Sequence, residues 1–111
     1  MSKRKSYLHA TDSELVPSIL NIGLSLSFWN TGQGTVGITK KTKARIYLVP
    51  DSKENFKYIV PEFGDVAFRV YLPKGTKVSR VGYEGSTRER AVFVDIPPSN
   101  LKLLGSRYKN A

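Results

Sequence analysis

The chain has 111 residues, enough for one domain that buries about 60–70% of the surface its unfolded form exposes. Its 40% hydrophobic and 24% charged composition excludes a disordered chain, and the lack of cysteine excludes disulfides and thiolate metal sites. Eighteen Lys and Arg against nine Asp and Glu give a net charge of +9, which favours a polyanionic partner such as DNA, RNA or an acidic protein surface.

The basic start Met1-Ser2-Lys3-Arg4-Lys5 is not followed by an apolar run, because Ser6, His9, Thr11, Asp12, Ser13 and Glu14 interrupt it. Nothing approaches the roughly 18 apolar residues of a membrane span. A cytoplasmic protein with no membrane partner is therefore expected. One histidine and no dense carboxylate cluster predict no metal.

Ser6–Ala10 reads as a strand, with Tyr7, His9 and Thr11 on one side and Leu8 and Ala10 on the other. Residues 12–22 then predict a helix closed by Gly23, where a left-handed cap suits glycine. Thr11-Asp12-Ser13-Glu14 fits a capping box, but that start would leave Pro17 inside the helix at a cost of about 3 kcal/mol. An opening turn over 12–15 with regular helix from about Pro17 is the better reading. Residues 23–43 predict a long loop. Arg45–Val49 is a strand, 52–60 a short helix, and Val66–Leu72 and Thr76–Val81 are strands joined by the Pro73-Lys74-Gly75 turn. Tyr83–Thr87 is a loop. Arg90–Ile96, apolar on both faces, predicts the central strand, and Leu101–Leu104 the last one. The total, about six strands and two short helices, is an α+β single domain with flexible tails at 1–5 and 106–111.

Three segments in order resemble ADP-ribosyltransferases of the histidine-bearing branch, which includes poly(ADP-ribose) polymerases, diphtheria-type toxins and the DNA-modifying DarT toxins. The first is Tyr7-Leu8-His9-Ala10-Thr11 with Leu15, Pro17-Ser18-Ile19-Leu20 and Gly23-Leu24. The second is Arg45-Ile46-Tyr47-Leu48 with Ser52 and Tyr58, and the third is Arg88-Glu89-Arg90-Ala91-Val92-Phe93-Val94-Asp95-Ile96 followed by Leu101-Lys102-Leu103-Leu104. Together they cover nearly the whole chain, and their order is more specific than any one of them.

The resemblance implies a split, mostly antiparallel sheet, NAD as substrate, and transfer of ADP-ribose through a transition state with oxocarbenium character. Glu89 would hold the ribose 2′-hydroxyl and steady the cation, as carboxylates do in glycoside chemistry. Strand alternation places Glu89, Ala91 and Phe93 on one face and Arg88 and Arg90 on the other. A strand-end ion pair with those arginines or with Lys102 is the plainer role for Glu89, and Glu84 is the reserve carboxylate. His9 would donate to the adenosine-side ribose, with Ala10 and Thr11 beside it; a purely structural histidine is its alternative. Tyr47 would stack on the nicotinamide, or else pack on the core. Tyr58 would form the opposite wall and Ser52 a further contact. No motif marks the arginine that DarT-type enzymes use beside NAD, and Arg45 is assigned to it on position alone.

The acceptor is expected on Lys40, Lys41, Lys43, Tyr83, Arg88 and Arg90, cations and an aromatic that suit a polyanion. Residues 29–35 hold glycines that suit close approach to a pyrophosphate, yet they match neither a Walker loop nor a Rossmann fingerprint. The expected activity is mono-ADP-ribosylation of a nucleic acid or a nucleic-acid-bound protein, in the manner of a bacterial or phage toxin or effector. Two alternatives stand beside it. One is a non-catalytic basic binding module. The other is an RNA 2′-phosphotransferase-like enzyme, against which the single histidine argues.

Overall fold

The computed structural model of the chain describes residues 5–26, 45–80 and 89–110. Among them six strands form one antiparallel sheet: β1 (Ser6–Thr11), β2 (Ile46–Pro50), β3 (Val66–Tyr71), β4 (Ser79–Arg80), β5 (Arg90–Val92) and β6 (Leu101–Gly105). Their spatial order is β4-β5-β2-β1-β3-β6. Two helices, α1 (Val16–Ile22) and α2 (Lys53–Ile59), cover opposite faces, so the molecule is α+β as its composition of elements predicts.

Alternation along the strands sorts the apolar side chains into two cores. Tyr7, Ile46, Leu48, Phe68, Val70 and Val92 point to one face, where Ile19 of α1, Leu24 and Ile96 close over them. Leu8, Val49 and Ala67 point to the other, where they meet Phe56 and Ile59 of α2 and Leu104. Hydrophobic burial on two faces explains why β3 is the most enclosed strand, with Ala67, Phe68, Arg69 and Val70 all at 0% exposure.

Local chemistry fixes the helix ends. A 3-10 turn over Ser13–Leu15 precedes α1, and Pro17 lies in the first turn of the helix, where no N–H is needed. Gly23 ends α1 at φ 81°, and a Cβ there would sit 2.1 Å from the Ile96 carbonyl oxygen. In α2 the Ser52 hydroxyl accepts from the Asn55 N–H at 3.1 Å, a side-chain N-cap.

Three expectations need correction. The strand predicted over 90–96 is not central. β5 covers only Arg90–Val92, lies second from the sheet edge, and leaves Phe93 and Val94 exposed. The chain peels away because Ile96 exchanges two 2.9 Å backbone hydrogen bonds with Leu24, and the Asp95 carboxylate accepts from the Leu26 N–H at 2.7 Å. These bonds tie 95–96 to the segment after α1 instead of to β2. The strand predicted over 76–81 shrinks to Ser79–Arg80 among the described residues.

The third correction concerns the C-terminal segment, which is docked and not free. The Tyr108 hydroxyl donates to Asp51 at 2.8 Å, its ring packs edge-on against Phe56, and Arg69 Nη2 donates to the Lys109 carbonyl. At the centre of this network is the Arg69–Asp51 pair, 2.6 Å from Nε to Oδ2, with Ser6 donating to the same carboxylate. Burial pushes the Asp51 carboxyl up, but bonds from Arg69, Ser6 and Tyr108, together with the Arg69 charge, outweigh it and hold the group below its ordinary value.

Candidate functional site

The sheet opens at its middle. β1 and β2 pair through only Tyr7↔Pro50 and Leu8↔Val49, although β1 continues to Thr11 and β2 begins at Ile46. The β1–β3 ladder keeps all six of its pairs, from Ser6↔Tyr71 to Thr11↔Val66. Beyond Leu8, therefore, β1 follows β3 and β2 follows β5, and a seam opens between two half-sheets.

His9 lies at this opening. It is buried, and its Nδ1 is 2.8 Å from the Tyr47 carbonyl oxygen, where a ladder bond would otherwise run. A carbonyl only accepts, so Nδ1 carries the proton. Burial lowers the imidazole pKa, against a smaller upward pull from the Tyr47 bond, so the ring is neutral at pH 7. A neutral ring has one N–H, and it is already used. Nε2 is then a hydrogen-bond acceptor, which corrects the expectation that His9 donates to a ribose; a hydroxyl would have to donate to it.

Tyr47 is the second element. Its neighbours Ile46 and Leu48 are 0% and 2% exposed, whereas Tyr47 is 42% exposed. The ring stands outside both cores, so the alternative of a core-packing tyrosine fails. The pair Tyr47↔Ala91 in the β2–β5 ladder puts Tyr47 and Ala91 on the α2 face. Glu89, two residues before Ala91, shares that face by alternation. From α2, Tyr58 donates its hydroxyl to Glu89 Oε1 at 2.6 Å. Glu89 is thus anchored by a tyrosine, an arrangement the ion-pair alternative did not foresee.

Tyr47, Tyr58 and Glu89 therefore gather on the α2 side of the half-sheet formed by β2 and β5. His9 belongs by pleat to the α1 side, since it pairs with Phe68, but its ring reaches across the seam to the backbone of Tyr47. The side chain is buried, 5% exposed, beside the α1-side core residue Phe68. Around this constellation are Phe63, 60% exposed and edge-on to Tyr58 at 5.8 Å, and Arg45, whose guanidinium lies 6.0 Å from the Tyr47 ring and 5.5 Å from that of Phe93.

Other expected residues stand apart. Thr11 is buried on the α1 side, where it lines a cavity of about 20 Å³ with Leu15, Ser18, Ile19 and Gly23, space for a single water. Gly64 packs so tightly on the Thr11 backbone that a Cβ would lie 2.5 Å from it. Ala10 packs against the α2-side core. The Ser52 hydroxyl caps α2, so helix formation already accounts for it. Arg90 lies on the face opposite Glu89, paired with Leu48, and its Nη1 donates to the Glu89 carbonyl at 3.1 Å. Lys40, Lys41, Lys43, Tyr83, Glu84, Arg88 and the glycine-bearing 29–35 stretch lie outside the described residues.

Sequence reasoning missed Phe63, since no spacing marks a loop phenylalanine, and set Phe93 on the face of Glu89 without giving it a role. Among the described residues no group of three or more His, Cys, Asp or Glu could hold a metal ion, and no helix is long and apolar enough to cross a membrane. No protein-family model, no curated protein and no solved structure matches this chain.

Proposed function

We propose that the protein is an NAD-dependent mono-ADP-ribosyltransferase whose site is the opening between β1 and β2. The observation that carries this reading is the 2.6 Å bond between Tyr58 and Glu89, on the sheet face that also presents the exposed ring of Tyr47. Two tyrosines and a glutamate, with a neutral histidine joined to the backbone of one tyrosine, are the residues whose order along the chain resembles the family.

In this reading the nicotinamide ring stacks between Tyr47 and Tyr58. His9 holds the backbone of Tyr47 in place from within the sheet and does not itself reach the ribose. Glu89 accepts from the 2′-hydroxyl, and its charge faces the positive charge that grows on the ribose as the bond to nicotinamide breaks. The bonding pair leaves with nicotinamide and neutralises its ring. A lone pair on the acceptor then forms the new bond to the ribose, and the acceptor's proton passes to solvent. The Tyr58 hydroxyl fixes the carboxylate so that little reorganisation accompanies the charge. The basic chain suits an acceptor that is a nucleic acid or is bound to one.

Melting the protein with and without NAD tests the reading at low cost. Ligand at 100 times its dissociation constant adds about 2.7 kcal/mol to the folded state, which raises Tm by several degrees. Labelled NAD incubated with DNA, RNA and cell protein then identifies the fraction that takes up ADP-ribose. No shift with NAD and no label in any fraction would leave a basic binding module as the description.

A further inference from the structure

We propose a second polyanion site, separate from the reaction site: a groove that binds a stretch of single-stranded nucleic acid on the far flank of α2. The groove encloses about 540 Å³ between α2, the 60–65 loop and the docked C-terminal segment. One stripe of α2 lines it, Lys53, Phe56 and Lys57, spaced i, i+3 and i+4, with Val60 just past the helix end. Tyr58 leaves the same helix in another direction, toward Glu89.

Arg107 faces the two lysines from the C-terminal segment, and all three cations are exposed. Among the described residues none of the three is in an ion pair. The one carboxylate in the lining, Asp65, is held below its ordinary pKa by the Ser13 hydroxyl and by the Ser13 N–H at 2.7 Å, so it sets a single negative charge against the three cations. Pro61 and Tyr108 supply apolar surface between the cations. Three cations over a partly apolar floor suit a flexible strand whose phosphates meet the charges while its bases lie on the carbon surface. The Arg69–Asp51–Tyr108 network docks the backbone next to Arg107, because Tyr108 is its immediate neighbour. The groove adds a grip on the polyanion to the transferase reading, but its existence does not rest on NAD.

The test is fluorescence anisotropy of labelled single-stranded oligonucleotides of about 12 nucleotides, titrated with no NAD present over a range of salt. The wild type is compared with the triple variant Lys53→Gln, Lys57→Gln, Arg107→Gln, whose melting temperature is checked first because all three side chains are exposed. Each phosphate contact contributes about 0.7 to the log–log salt slope for single strands, so the variant's slope is expected to be shallower by about 2, with weaker binding at low salt. A wild type that binds no oligonucleotide at low salt, or a variant with wild-type slope and affinity, overturns the proposal. So does an acidic polypeptide that displaces the oligonucleotide equally well at equal charge, because the groove would then read charge alone. NAD-dependent stabilisation is measured separately, so either conclusion can fail while the other stands.

Discussion

At the scale of single residues, Glu89 and its tyrosine anchor separate a chemical role from a structural one. Glu89→Gln removes charge but keeps shape. It is expected to lower NAD turnover by about 10²–10³-fold, a loss of roughly 2.7–4 kcal/mol, with little change in melting temperature. Tyr58→Phe removes only the donor to that carboxylate, and turnover is expected to fall about tenfold, with steady-state kinetics as the readout. His9 carries a pH signature. Its folded pKa is below the ordinary 6.5, so between the two values the unfolded chain binds more protons and stability rises with pH. The contribution is present above about pH 6.5 and is lost as the pH falls below it. Urea midpoints of wild type and His9→Gln, taken across this window, should converge on acidification; a constant difference would contradict the burial of a neutral ring. Tyr47, Tyr58 and Glu89, singled out by residue type and order along the chain, come to one face of the sheet, whereas His9 lies by pleat on the other. Arg69 was not legible in the sequence, since a buried cation in Val66-Ala67-Phe68-Arg69-Val70-Tyr71 leaves no periodic trace, and its partner Asp51 lies 18 positions away.

At the scale of elements, the strongest local signals came from residues with restricted or unusual backbone demands. Pro17 and Gly23 bracket α1 because one lacks an N–H and the other tolerates φ 81°. Gly23→Ala is expected to cost about 2–4 kcal/mol, since strain at positive φ adds to a clash with the Ile96 carbonyl. Gly75→Ala is the control, with φ 84° but open space around a new Cβ, and should cost only about 1 kcal/mol. Denaturant titrations of both variants separate the clash from the backbone term; equal losses would mean that Gly23 is needed for its dihedral angle alone. The length of β5 could not be read locally. Ala91-Val92-Phe93-Val94-Asp95-Ile96 has the composition of one long strand, and its division depends on the backbones of Leu24 and Leu26, partners more than 60 residues distant.

At the scale of the whole molecule, strand number and class followed from hydrophobic patterning, while the order β4-β5-β2-β1-β3-β6 depends on pairings between distant segments. The same holds for the C-terminal segment, whose polar, basic composition suggests a free tail until Asp51 and Phe56 come together beneath Tyr108. Asp51→Asn leaves the enclosed Arg69 without its counter-charge and is expected to destabilise the protein by about 3–5 kcal/mol, read from the urea midpoint, and to loosen residues 106–110. Adding Arg69→Met to that variant should recover part of the loss, because the buried cation is then gone.

Nicotinamide release from NAD is the most direct test of the transferase site proposed at the seam between β1 and β2. The wild-type protein is expected to liberate nicotinamide, Glu89→Gln at equal folded concentration to do so about 10²–10³-fold more slowly, and both to be stabilised by NAD. Release by Glu89→Gln at the wild-type rate would contradict the assignment of the carboxylate, and with it the claim that the open seam is a transferase site.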